Sequence, residues 1–123
     1  MINGPLLELL VQLRKRYTAL GEALDLTQQM ADALDRDDRI SFSLLLSMRQ
    51  DVVLRLQETD ERIQSAADGL APDMQKKWQA LLNGSSPTDD GEQQLAKQMQ
   101  QNRQLLEHLI PLDRRIQQSL STR

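Results

Sequence analysis

Between Pro5 and Leu34, apolar residues recur at alternating steps of four and three, and this spacing restricts the fold more than any other feature of the chain. The series is Leu6, Leu10, Leu13, Tyr17, Leu20, Leu24, Thr27, Ala31 and Leu34. A mean period of about 3.5 residues is typical of a helix that packs against another helix along its whole length. Because a helix of about thirty residues is roughly 45 Å long, its partners must be long helices too.

A second apolar stripe runs beside the first on the same segment: Leu9, Ala23, Leu26, Met30 and Ala33. One stripe is enough for a two-helix hairpin, whereas a wider apolar face indicates three or four helices or an external partner. Periodicity leaves both explanations open. Either both stripes are core of a closed bundle, or one of them is an interaction face.

The composition favours a single helical domain. The chain has 123 residues, of which 39% are hydrophobic, 27% charged and only 2% aromatic. A core of Leu, Met, Ile, Val and Ala without aromatic residues is typical of helices. The net charge of −3 argues against a nucleic-acid partner, which requires a clustered basic surface.

Turn and cap residues divide the chain into one domain of four helices, residues 1–123. We expect helices at about 5–35, 39–67, 72–82 and 92–120, with a flexible linker over 84–91. The predicted fold class is all-α: an antiparallel helical bundle of three long helices and one short helix, with coiled-coil-like packing.

Particular residues mark the helix ends. Pro72 suits a first turn, Asp37 or Asp38 can cap the second helix, and Gly69 is predicted to be a left-handed cap. Pro111 lies inside the fourth helix, where we expect it to bend the axis.

Three polar residues interrupt the apolar seams. Arg49 falls on the seam of the second helix, and Asn102 and Asp113 fall on the seam of the fourth. Arg49 either extends along its aliphatic stem to water or pairs with a carboxylate, because an unpaired buried guanidinium is costly.

Residues suited to catalysis or metal binding are scarce. His108 is the only histidine and cysteine is absent, so no His-based dyad, metal cluster or disulfide can form within one chain. We therefore expect no enzyme activity and no cofactor. There is no signal-peptide pattern and no apolar run near the ~18 residues of a membrane span, so we expect a cytoplasmic protein without a span.

Three segments resemble the flagellar export chaperones of the FliT and FlgN types. They are Leu24-x-Leu26-Thr27-x-x-Met30-x-x-Ala33-Leu34 with the acidic turn at Asp37-Asp38, Phe42-x-x-Leu45-Leu46-x-x-Arg49, and Gln101-Asn102-Arg103-x-Leu105-Leu106-x-x-Leu109. The length and helix layout are similar as well. The family pattern includes a C-terminal tyrosine that contributes to export-gate docking. The only tyrosine here is Tyr17, so no residue is assigned that role.

The resemblance implies a cytoplasmic chaperone that binds the C-terminal helical region of a filament-cap or hook–filament junction protein. It also implies delivery of that cargo to the export gate and ATPase complex. We predict that the cargo surface consists of apolar residues on the third and fourth helices: Trp78, Leu81, Met99, Leu105, Leu109, Leu112 and Ile116.

Two other functions fit the same pattern. One is a structural coiled-coil adaptor that self-associates, its extra stripe forming a homodimer interface. The other is a regulator that sequesters a transcription factor, for which the sequence offers no motif of its own.

Overall fold

The computed structural model describes residues 4–122, which form four helices and no strand. They are α1 (Gly4–Asp35), α2 (Arg39–Asp68), α3 (Pro72–Leu82) and α4 (Asp90–Ser121). The predicted all-α bundle of three long helices and one short helix is confirmed. The largest difference from the predicted bounds is at the start of α4, which begins at Asp90.

Helix α1 is the centre of the bundle, because α2 and α4 both pack along it. The direction of α2 follows from two contacts: Arg16 pairs with Asp60 near the start of α1, and Arg49 donates to Thr27 nearer its end. Helix α2 therefore runs antiparallel to α1, as the short connection between them requires.

Helix α4 runs parallel to α1. The Asn102 side chain donates to the Leu13 carbonyl in the first half of both helices, and Arg115 pairs with Asp35 near the end of both. This direction arises because α2 ends where α1 begins, and α3 and the segment after it keep the chain at that end of the bundle. Each long helix is thus antiparallel to the long helix before it in sequence.

The largest core cluster joins all four helices at that end of the bundle. Leucines of the first turns of α1 meet the C-terminal end of α2, the buried face of α3 and the start of α4. Its buried members are Leu6, Leu9, Leu10, Leu13, Ala67, Leu70, Trp78, Leu81 and Leu95. Helix α3 therefore acts as a cover for the apolar ends of three longer helices.

Two smaller clusters continue the core along α1, one around Ala23 and Val52 and one around Met30 and Ile116. The second stripe of α1 is buried throughout, so it is core. The first stripe is buried as well, apart from half-buried Leu24 and Tyr17, which is 40% exposed. The choice left open by periodicity is thus decided for α1 in favour of a closed core.

The helix ends follow the cap residues, with one correction. Asp38 caps α2 by accepting from the Ser41 backbone N–H at 3.0 Å, and Asp89 caps α4 in the same way. Gly69 has φ −81°, so the predicted left-handed cap is wrong. Gly84, just after α3, has φ 91° and supplies a left-handed turn that favours glycine.

Helix α4 continues without a break through Pro111.

We expect Asp38→Ala to lower the melting temperature at neutral pH, and the loss to disappear in acid. Hydrogen bonds from Ser41, first through its side chain and then through its backbone N–H, hold the pKa of Asp38 below its ordinary value. The stabilisation is therefore complete above the unfolded-state pKa of about 3.9 and is lost as the pH falls through the lower folded-state pKa.

Circular-dichroism melting curves at neutral pH and at about pH 2 test this. Asp38→Asn is the matched control, because asparagine also caps helices but does not titrate. It should melt close to the unchanged protein at neutral pH. An equal effect of Asp38→Ala at both pH values would contradict the assignment.

Candidate interaction groove

A groove runs between α2 and α4, with α1 as its floor. It forms because α2 and α4 both pack closely on α1, whereas they meet each other mainly through side chains, as around Val52 and Leu109. Its volume is about 390 Å³. The lining residues are Ala23, Thr27, Arg49, Val53, Leu56, Leu109, Ile110, Asp113, Arg114 and Gln117. Small side chains on the floor leave space that the flanking helices do not fill.

A polar network crosses the groove and connects all three long helices. The Arg49 guanidinium donates to Asp113 Oδ1 at 2.6 Å and to Thr27 Oγ1 at 3.2 Å. The Thr27 hydroxyl, which is fully buried, donates in turn to the Ala23 carbonyl at 2.6 Å. Of the alternatives for Arg49, the structure therefore shows pairing with a carboxylate.

This ion pair is partly desolvated. The side chains of Arg49 and Asp113 are 20% and 32% exposed, so both charges lie at the bottom of the groove and still meet water. Gln117 also donates to the second oxygen of Asp113, at 3.0 Å. The carboxylate is thus held from two sides, which fixes the distance between α2 and α4 at this point.

Apolar side chains form the walls on either side of the network. Val53 on α2 is 41% exposed and Ile110 on α4 is 50% exposed, whereas Leu56 and Leu109 below them are half-buried. Apolar walls around a few fixed polar groups are the arrangement by which grooves bind amphipathic helices. On the rim, Arg114 is exposed and adds a positive charge.

The third polar interruption, Asn102, has a structural role outside the groove. It is buried, donates to the Leu13 carbonyl at 3.0 Å and accepts from Gln98 at 3.0 Å. Both of its amide atoms are therefore satisfied, and the hydrogen bonds fix α4 lengthwise against α1. A polar group held in this way specifies one alignment of a helix pair.

The predicted cargo residues do not form one surface in this structure. Trp78, Leu81 and Ile116 are buried in core clusters. Met99, Leu109 and Leu112 are partly buried and pack against those clusters, and Leu105 is also half-buried. Of the seven, Leu109 lines the groove. Their role in partner binding stays a prediction, and a partner reaches the buried ones only if α3 or α4 moves.

Sequence reasoning missed four exposed apolar residues on α2. Ile40, Leu44, Met48 and Leu54 are 86%, 63%, 46% and 59% exposed. These residues can be found from the sequence by elimination. Once the residues of the buried seam of α2 are assigned, these four large apolar residues lie outside that seam.

Residues 4–122 contain no helix that is both long and apolar enough to cross a membrane. Nor do they contain three or more His, Asp or Glu residues grouped so that they could hold a metal ion.

Comparison with protein-family models, with curated proteins and with solved structures finds no match to this chain.

Proposed function

We propose that the chain is a stoichiometric helix-binding chaperone without catalytic activity. Its groove between α2 and α4 receives the apolar face of an amphipathic helix. The observation that supports this most is the groove itself, where Val53 and Ile110 leave apolar surface exposed above the side chains that join α2 and α4. A helix laid between them would bury that surface.

The cargo that we propose comes from the resemblance to FliT- and FlgN-type chaperones. In this proposal, the groove binds the C-terminal helix of a flagellar cap or hook–filament junction protein in the cytoplasm. The chaperone then delivers that protein to the export gate and ATPase complex. Such a terminus self-associates through its apolar face, so covering that face prevents premature assembly.

Calorimetric titration of the protein with C-terminal fragments of cap and junction proteins tests the proposal. Val53→Glu and Ile110→Glu should each weaken binding of the cognate fragment at least about tenfold, which is about 1.4 kcal/mol, because each places a charge on an apolar wall. The side chains of Val53 and Ile110 are 41% and 50% exposed, so each introduced carboxylate can reach water and the variants should fold.

Leu82→Glu is the matched control, since Leu82 is 46% exposed but lies on α3, away from the groove. It should bind the fragment as well as the unchanged protein does. If no fragment binds, the cargo assignment is wrong. If a fragment binds equally to all three variants, the groove is not its site.

The alternative is a structural adaptor that self-associates. It is favoured by a separate observation, the exposed apolar residues of α2 that do not line the groove: Ile40, Leu44, Met48 and Leu54.

A further inference from the structure

A second cavity, distinct from the groove, opens between α1 and α2. Its volume is about 320 Å³, and no residue that lines it also lines the groove. The lining residues are Gln12, Lys15, Thr18, Ala19, Arg55, Glu58, Thr59 and Arg62. Three of these side chains are cations and one is a carboxylate. The lining is therefore positively charged, in a chain whose net charge is −3.

Two of the cations lie at nearly the same level on the two helices. Arg16 on α1 pairs with Asp60 on α2, and the helices are antiparallel. Lys15, one residue before Arg16, is therefore nearly level with Arg62. Both Lys15 and Arg62 are exposed, and neither forms an ion pair within residues 4–122. Like charges that border one cavity repel each other, so both attract an anion placed between them.

The other charges of the lining do not cancel this pair of cations. Arg55, the third cation, is paired with Glu22, a residue outside the lining. Glu58 is the one carboxylate of the lining, and it is exposed and forms no ion pair with the three cations. One free carboxylate against two free cations leaves a net positive charge for a ligand.

The buried polar atoms of the lining are hydrogen-bond acceptors. Gln12 is only 2% exposed, and its Nε2 donates to Glu8 Oε1 at 3.0 Å. A carboxylate only accepts, so this bond fixes the orientation of the amide. Gln12 Oε1 is buried and has no hydrogen-bond partner among residues 4–122, which is a costly arrangement. The buried Thr59 hydroxyl donates to the Leu56 carbonyl at 2.7 Å, so toward the cavity it too can only accept.

We infer that this cavity binds a small phosphorylated ligand, whose phosphate oxygens accept from Lys15 and Arg62 and whose O–H group donates to Gln12 Oε1. Cations at the rim and acceptors at the floor require a ligand that is an anion and also carries a donor. Hydrogen phosphate has both features, whereas sulfate has no proton to donate. Lys15 and Arg62 have long, exposed side chains, which can move apart to admit the ligand and then close on its phosphate.

An NMR titration of the ¹⁵N-labelled full chain with inorganic phosphate is the first test, at constant ionic strength and mildly alkaline pH. Phosphate is then mainly a dianion like sulfate, so the two ions differ chiefly in the donor. We expect the Gln12 side-chain amide and the backbone of Ala19 and Thr59 to shift. Phosphate should bind at least about tenfold more tightly than sulfate. No shift changes at these residues up to millimolar phosphate, or equal binding of the two ions, would overturn the inference.

Variants separate the charge from the donor. Gln12→Leu removes an unpaired buried polar group, so it should fold and should bind phosphate no better than sulfate. Arg62→Gln should weaken binding of both ions, whereas Glu58→Gln should strengthen it, because the competing carboxylate is gone. Lys77→Gln is the matched control, since Lys77 is exposed on α3 away from the cavity. A preference for phosphate that survives Gln12→Leu, or an equal loss in Lys77→Gln, would contradict the site.

Glycerol phosphate distinguishes the two sources of the phosphate group. If the ligand is a phosphoester, glycerol phosphate should bind at least as tightly as inorganic phosphate, because its hydroxyl groups can donate to Gln12. If inorganic phosphate binds and glycerol phosphate does not, the cavity takes the free ion. Both results support the site and identify its ligand. They do not depend on whether a cargo fragment binds in the groove, since the two sites share no lining residue.

Discussion

Replacing Leu95 with alanine is expected to destabilise the protein by about 3 kcal/mol, the middle of the range for a large-to-small change in a packed core. Leu95 has no exposed surface and belongs to the cluster in which α4 meets α1 and α3. The substitution leaves a cavity at the point where three helices converge. Urea unfolding followed by circular dichroism gives the change in free energy directly.

Leu82→Ala is the control for this measurement, because the Leu82 side chain is 46% exposed. It should change the free energy of unfolding by no more than about 0.5 kcal/mol. A similarly small effect of Leu95→Ala would mean that the first half of α4 is not docked on α1.

The second large effect concerns the ion pair in the groove. We expect Asp113→Leu to cost about 2 kcal/mol, because it leaves the partly buried Arg49 guanidinium without its carboxylate. The double variant Arg49→Leu with Asp113→Leu should be more stable than Asp113→Leu alone, since it removes both charges and adds apolar contacts.

A double-mutant cycle on Arg49 and Asp113 isolates the coupling, which should be at least about 1 kcal/mol. The Arg55–Glu22 pair is the control, because both side chains are nearly half exposed and screened by water. Its coupling should be clearly smaller. Equal coupling in the two cycles would show that the groove pair does not hold α2 and α4 together.

The sequence predicted the backbone of this fold well because its signals are local. Steps of four and three residues identify α1, and aspartate and proline mark the starts of α2 and α3. Gly69 was misassigned for a local reason too: glycine permits a left-handed turn but does not require one. Its φ of −81° is a conformation that any residue can adopt.

Pairing between distant residues could not be predicted in the same way. Arg49 and Asp113 were each recognised as a polar residue on an apolar seam. Periodicity, however, does not show which polar residues of different helices contact each other. Their contact depends on α4 running parallel to α1, and hence on α3 keeping the chain at the end of the bundle where α1 begins. Likewise, the hydrogen bond from Asn102 to the Leu13 carbonyl depends on tertiary packing.

The candidate site shows the limit of reading function from apolar stripes. An apolar helix face has the same spacing whether it is covered by the chain itself or by a partner. Trp78, Leu81 and Ile116 were therefore assigned to a cargo surface, and they lie in the core. Ile40, Leu44 and Leu54 were not singled out, and each of them is more than half exposed.

The most direct test of the central claim is a methyl-resolved NMR titration of the full chain with a fragment of a flagellar cap or junction protein. If the groove binds an amphipathic helix, the largest shift changes should occur at Val53, Leu56, Leu109 and Ile110. The methyl groups of Leu95 in the core and Leu82 on α3 should change little. Changes confined to Leu44 and Leu54, or spread evenly over core and surface, would contradict a groove between α2 and α4.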